Sequence, residues 1–204
     1  MKLILIRHGE TEENKKRIIH SGHGGNLSEL GIMQAESVAL RLKEENIDLI
    51  LSSDLLRASD TAKEIAKFHE VSLNFLEDLR ERNAGKLEGK TKPENWDELK
   101  WNDEFARKFD METSYELHER AKKFVNNLLK NNFGKTVVLV FHNGINQAMI
   151  NFLLGNSHEK ITELSNIKNG SVTIFEFDEN KNPELKILNS TEHLEPVLEI
   201  KNVL

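Results

Sequence analysis

The chain of 204 residues contains no cysteine, which excludes disulfides and thiolate chemistry and fits a reducing compartment. It also lacks a long apolar run. The longest stretches, Leu3 to Ile6 and Val137 to Phe141, are far too short to span a bilayer, and Met1-Lys2 followed by four apolar residues is too short for a secretion signal. A cytoplasmic protein with no membrane partner is expected. Positive charge is in deficit: 28 basic against 34 acidic side chains give a formal net charge of -6. That balance argues against a nucleic-acid surface and requires any anionic ligand to be drawn in by a local cationic pocket. No repeat, low-complexity tract or dividing linker interrupts the sequence. A single domain over 1–204 is expected, long enough to bury about 70% of its unfolded surface.

What the chain does contain is two buried-strand signals that end in histidine. Lys2 to Ile6 is short, apolar and closed by Arg7-His8-Gly9-Glu10-Thr11, and Thr136 to Phe141 ends in His142-Asn143-Gly144. If the two strands run parallel, both histidines open onto one edge of the sheet, and in α/β sheets ligands sit beyond the carboxyl ends of the strands. A third strand, Ile47 to Leu51, leads through Ser52-Ser53-Asp54 into a helix with Arg57 in its first turn, adding a second arginine to that edge.

The remaining pattern alternates helix and strand. Ser28 reads as the N-cap of a helix to about Glu45, and Leu55 to Phe68, Ser114 to Asn131 and Gly144 to Leu154 read as further helices. Val71 to Phe75, Ser171 to Phe177 and Leu185 to Leu188 read as strands, and Glu77 to Gly89 as loop. Lys92 to Phe109, with Pro93, Trp96 and Trp101, is expected to form short helices over the sheet edge, with the two tryptophans packing there. The expected fold class is α/β: three layers, α/β/α, with a mostly parallel central sheet, helices on both faces and a small helical lid insertion at about 90–112.

Four motifs in order, RHGET with Asn14 three positions on, SSDLLRASDTA at Ser52 to Ala62, LRERNAGKLEG at Leu79 to Gly89 and FHNG at Phe141 to Gly144, resemble the histidine phosphatase superfamily, phosphoglycerate mutase-like branch. The resemblance extends from Met1 to about Leu194. It implies a phosphoglycerate mutase-like fold and a metal-independent phosphomonoesterase with no cofactor, acting on a small-molecule phosphate monoester as a monomer or homodimer. His8 would be the nucleophile, Arg7 and Arg57 the clamps on the phosphoryl oxygens, and His142, in its protonated state, a donor to an equatorial oxygen. Asn14 would complete the pocket through its amide, and the backbone N–H groups of Asn143 and Gly144 would add anion stabilisation at a helix N-terminus. Glu81 would be proton donor to the leaving oxygen and then base toward water. Covalent catalysis splits one displacement into two easier ones, neighbouring cations favour the neutral imidazole it needs, and a carboxyl beside a phosphate dianion tends to hold its proton.

Taken singly these residues have plainer readings. A histidine after a strand is often a turn residue, Arg57 a solvated first-turn side chain and Glu81 a loop carboxylate. Thr11 and Ser53 serve equally as phosphate contacts or as strand-end caps. Glu10 and Glu12 read as surface charges. His20 and His23 lie in a glycine-rich loop that makes a poor zinc site, so His20 reads as a substrate-loop residue. Ala84 to Thr91 ends like a P-loop but has Ala84 where the first glycine belongs, and nucleotide binding through it is rejected. The loop IIHSGHGGN departs from the family's usual glutamine-glycine pair and aspartate, and Asn143 stands where a glycine is commoner. Alternatives are a phosphoglycerate mutase, less favoured because RNAGKLEG looks like the phosphatase version and the chain is shorter than typical mutases, and a phospho-ligand binding module without turnover.

Overall fold

The two histidine-terminated runs become the neighbouring central strands of one sheet. The computed structural model describes residues 1–22, 25–94, 102–164 and 166–197. Its strands are β1 (Lys2–Arg7), β2 (Leu49–Ser53), β3 (Leu73–Leu76), β4 (Thr136–Phe141), β5 (Val172–Phe177) and β6 (Pro183–Ser190), in the order β3-β2-β4-β1-β5-β6. Strands β1, β4, β2 and β3 are mutually parallel, while β5 runs antiparallel to β1, and β6 to β5. The sheet is therefore mostly parallel, as expected. In the β1/β4 pair Arg7 stands opposite Phe141, so His8 and His142 leave the sheet side by side.

Helices cover both faces: α1 (Glu12–Lys15), α2 (Glu29–Leu42), α3 (Leu56–Ala66), α4 (Asp103–Lys108), α5 (Ser114–Asn132) and α6 (Asn143–Leu153). The period-two geometry of a strand sends Leu3, Leu5, Val137, Leu139 and Phe141 to a core shared with α5 and α6. Ile4, Ile6, Val138 and Val140 go to a second core with α2 and α3. Because both faces of the central strands are buried, their sequences read as continuous apolar runs rather than alternations. Each large apolar side chain so buried contributes about 1.5–3 kcal/mol, and a one-residue slip in register would exchange the two cores.

Local signals place the helix starts. Ser28 Oγ accepts the Gly31 N–H at 3.1 Å and donates to Glu10 Oε1 at 2.9 Å, so the carboxylate expected on the surface ties the loop after β1 to the head of α2. The approach is close enough to require glycine twice: a Cβ on Gly9 would lie 2.3 Å from the Gly31 carbonyl oxygen, and one on Gly31 would lie 1.9 Å from that of Glu10. The one-turn α1 was not anticipated; it is held by a capping box in which Thr11 Oγ1 accepts the Asn14 N–H and Asn14 Oδ1 accepts the Thr11 N–H. The segment Glu77 to Gly89 is loop with two 3₁₀ turns, Glu77–Leu79 and Gly85–Leu87. Strand β6 is longer than expected, its edge position leaving it a weak apolar pattern. In the expected lid, α4 is the helix seen; Trp96 and Trp101 lie outside the described residues.

Candidate active site

The carboxyl ends of β1, β4 and β2 deliver His8, His142 and Ser53 to one spot, where the His8 and His142 ring centroids are 5.1 Å apart. His8 Nδ1 lies 2.6 Å from the Gly9 carbonyl oxygen. A carbonyl can only accept, so Nδ1 carries the hydrogen and the neutral ring keeps its lone pair on Nε2. Burial, then the cations Arg57 and Arg7, hold the His8 pKa well below the usual histidine range. The ring is therefore uncharged through neutral pH. Gly9, whose carbonyl sets this tautomer, is itself held by its N–H to Thr61 Oγ1 on α3 at 3.2 Å.

Two guanidinium groups make the site cationic within an acidic protein. Arg7 is buried, and Nη1 donates to the Ile167 carbonyl and to Asn166 Oδ1 at 3.3 Å, while Nε has no hydrogen-bond partner among the described residues. Burial draws its pKa down to about 10, with Glu81 opposing and Arg57 adding to the fall. Arg57, only 1% exposed, donates from Nε to His142 Nδ1 at 3.1 Å. Guanidinium forks in a dry site match phosphoryl oxygens.

His142 differs from the expectation. It accepts from Arg57 at Nδ1, its Nε2 faces Ser53 Oγ at 2.9 Å, and it is fully buried. Both ring nitrogens are engaged by protein, and burial, then Arg57 and His8, keep its pKa well below the usual range. The ring is neutral and stands behind the cavity wall, between Arg57 and Ser53. The reason is electrostatic: a protonated imidazole could not accept from Arg57 or sit dry beside it.

Glu81 occupies the place expected for an incoming anion. Its Oε1 accepts from the backbone N–H groups of Arg82 at 2.8 Å, Gly144 at 2.9 Å and Ile145 at 3.3 Å, and Oε2 lies 3.2 Å from Gly144 N. The amide of Gly144, at the start of α6, is thus directed to the carboxylate, where the resemblance implies a phosphate. Oε2 is the less engaged oxygen. The segment bearing Glu81 is fixed from α5: Arg120 donates to the carbonyls of Asp78 and Arg80 at 2.8 and 2.9 Å and grips Glu112 with two bonds of 2.8 Å.

These residues border a cavity of about 400 Å³. Of the residues expected from sequence, Arg7, His8, Asn14, His20, Arg57, Glu81, Asn143 and Gly144 line it, and Thr11 and His142 do not. Thr11 is fully buried and its hydroxyl caps α1 and meets His20 Nε2 at 3.3 Å. Ser53 likewise caps, accepting the Leu55 N–H at 3.3 Å. Asn143 contributes its side chain to the Ile167 N–H at 2.9 Å. The outer wall mixes Ile18, Met111 and Leu164 with Arg82, Lys92 and Glu163, which the sequence reading did not single out; Arg82 was marked only by its place after Glu81. The loop Asn166 to Gly170 was missed because it carries no motif and meets the site only in three dimensions. Among the described residues no group of three or more histidine or acidic side chains could hold a metal ion, and His23 lies outside the described residues.

Comparison with known proteins agrees with this geometry. Residues 3–191 match the model of the histidine phosphatase superfamily (branch 1). The chain is 31% identical over 203 residues to phosphoserine phosphatase 1 of Hydrogenobacter thermophilus, covering 95% of this chain and 94% of that one. It is 29% identical to phosphoglycerate mutase-like protein 4 of Arabidopsis thaliana, covering 95% and 87%. A phosphoserine phosphatase from Entamoeba histolytica, solved with 3-phosphoglyceric acid, superposes with a TM-score of 0.80 at 31% identity, covering 95% of this chain and 98% of that one. With its mostly parallel sheet, its RHG loop and its second histidine on adjacent strand ends, the chain belongs to the histidine phosphatase superfamily, branch 1.

Proposed function

We propose that this protein is a metal-independent phosphomonoesterase that hydrolyses a small phosphorylated metabolite through a phosphohistidine on His8. The observation that carries the reading is the His8 Nδ1–H bond to Gly9, which leaves a neutral Nε2 in a cavity lined by Arg7 and Arg57, with the Glu81 carboxylate on the same wall. In the first step Nε2 forms a bond to phosphorus as the P–O bond to the leaving group breaks, and Glu81 Oε2 gives its proton to the departing alkoxide. In the second, Glu81 takes a proton from water as that oxygen attacks phosphorus and the P–N bond breaks, returning His8 to its neutral form. Arg7, Arg57 and Asn14 bind the equatorial oxygens in both steps, charge stabilisation that needs no metal ion. His142 acts through Arg57, and His20 closes the substrate side.

Relatives named for phosphoserine hydrolysis support a phosphatase, and relatives named as phosphoglycerate mutases mark the competing reading. The test is rapid-quench turnover of a ³²P-labelled alkyl phosphate in chelator. An acid-labile, alkali-stable label on His8 is expected, and its absence, or full activity in His8→Ala, overturns the reading. Phosphoryl transfer between phosphoglycerate isomers without release of phosphate would make it a mutase. Glu81→Ala should lower kcat on alkyl phosphates by about 10² to 10⁴ and on p-nitrophenyl phosphate far less, because p-nitrophenolate leaves without a proton. Equal losses would remove the general-acid role.

A further inference from the structure

We propose that Asn169 is a positioning residue of the phosphate site: it holds the Asn14 amide with its nitrogen toward the ligand and pins the loop that carries the nucleophile. This rests on the functional reading above. Asn169 lies in the turn before β5, and its Nδ2 is 3.0 Å from the His8 carbonyl oxygen, 3.3 Å from that of Gly9 and 3.2 Å from Asn14 Oδ1.

The chemistry of these partners fixes the orientation of both amides. Backbone carbonyls only accept, so the Asn169 atom facing His8 and Gly9 is its NH₂. That NH₂ and the Thr11 backbone N–H, 3.3 Å away, converge on a single atom of Asn14, which must therefore be oxygen. The Asn14 nitrogen is left over, on a residue that lines the cavity, with no protein partner among the described residues. It is the free donor of the pair. Without Asn169, the Thr11 bond alone would hold the amide, and rotation about its last bond would turn the oxygen toward an anion.

A second effect reaches the nucleophile. The Gly9 carbonyl that receives Asn169 also receives His8 Nδ1–H, so Asn169 steadies the acceptor that determines which His8 nitrogen attacks. The clasp is itself anchored. Gly170 N–H lies 3.0 Å from the Arg7 carbonyl oxygen and 3.2 Å from that of His8. Lys168 N–H donates to Asn189 Oδ1 at 2.8 Å, and His193 Nε2 donates to the Gly170 carbonyl at 2.9 Å.

The experiment measures inorganic phosphate binding by titration calorimetry, together with kcat and KM, for wild type, Asn169→Ala, Asn14→Ala and the double variant. Asn169→Asp, isosteric but lacking donors, serves if the alanine variant fails to fold, and thermal unfolding checks each protein. Asn169→Ala is expected to weaken phosphate binding about tenfold, one charge-assisted hydrogen bond, and Asn14→Ala by a similar factor. The double variant should be no weaker than the poorer single, because both act on one donor. Phosphate affinity and kcat unchanged in Asn169→Ala or Asn169→Asp would overturn the proposal, as would losses of phosphate affinity that multiply in the double variant. A wild type that neither binds phosphate nor forms a phosphoenzyme would instead overturn the functional reading, and this proposal with it.

Discussion

Gly144→Ala separates the position of Glu81 from its presence. An added Cβ would lie 2.7 Å from Glu81 Oε1 and 3.1 Å from Arg82 Cβ, against an ordinary carbon contact of about 3.5 Å. The atom struck first is the end of a flexible side chain, so the carboxylate can withdraw by about 0.8 Å while the backbone stays. That shift carries Oε1 beyond hydrogen-bond reach of the Gly144 N–H, now 2.9 Å away, and removes Glu81 from the head of α6. A misplacement near 1 Å costs about 10²-fold in rate, so kcat on an alkyl phosphate should fall by about that factor. The loss on p-nitrophenyl phosphate should stay within a few-fold, and stability should change by no more than about 1 kcal/mol, since no buried group loses its packing. Steady-state kinetics on the two substrates beside urea unfolding read all three. An alkyl-phosphate kcat within threefold of wild type, or equal losses on both substrates, would refute the argument that this glycine places the acid.

Three further outcomes follow from the same contacts. Stability should decline in mild acid, because burial holds His8 and His142 well below the usual histidine pKa. The unfolded chain takes up protons there below about pH 6.5 and the folded chain does not, so stability is full above that pH. Below it, about 1.4 kcal/mol per pH unit is lost for each such histidine; a flat urea midpoint between about pH 6.5 and 5.5 would contradict it. Arg120→Ala severs the bonds to the Asp78 and Arg80 carbonyls and the paired grip on Glu112; we expect a loss of about 1–3 kcal/mol and a larger kcat drop on alkyl than on aryl phosphates, whereas an unchanged alkyl-to-aryl ratio would deny that it positions Glu81. Glu88→Ala releases Ser21, whose N–H and hydroxyl both bond that carboxylate at 2.8 and 2.5 Å. With the loop bearing His20 loosened, KM should rise about tenfold with kcat within threefold, and a kcat-only effect would count against a binding role for this loop.

Residue order alone carried the central strands, the mostly parallel sheet and the company of His8, Arg7, Arg57 and Glu81, because continuous apolar runs and ordered motifs are local signals that survive without neighbours. Helix α2 and its Ser28 cap were legible for the same reason. What each polar group faces is settled by packing in three dimensions. His142 was expected to donate into the pocket, yet the Arg57 Nε–H and Ser53 take both of its ring nitrogens. The resemblance implies phosphate for the amide of Gly144, and the structure places against it a carboxylate from a loop 63 residues earlier in the chain. Asn169 bears no motif, and it reaches the His8 loop only because β5 lies beside β1 and brings the turn before it there. Hydrogen bonds between distant segments depend on ångström-scale placement, which residue order does not encode locally, whereas strand burial depends on composition along a short stretch, which it does.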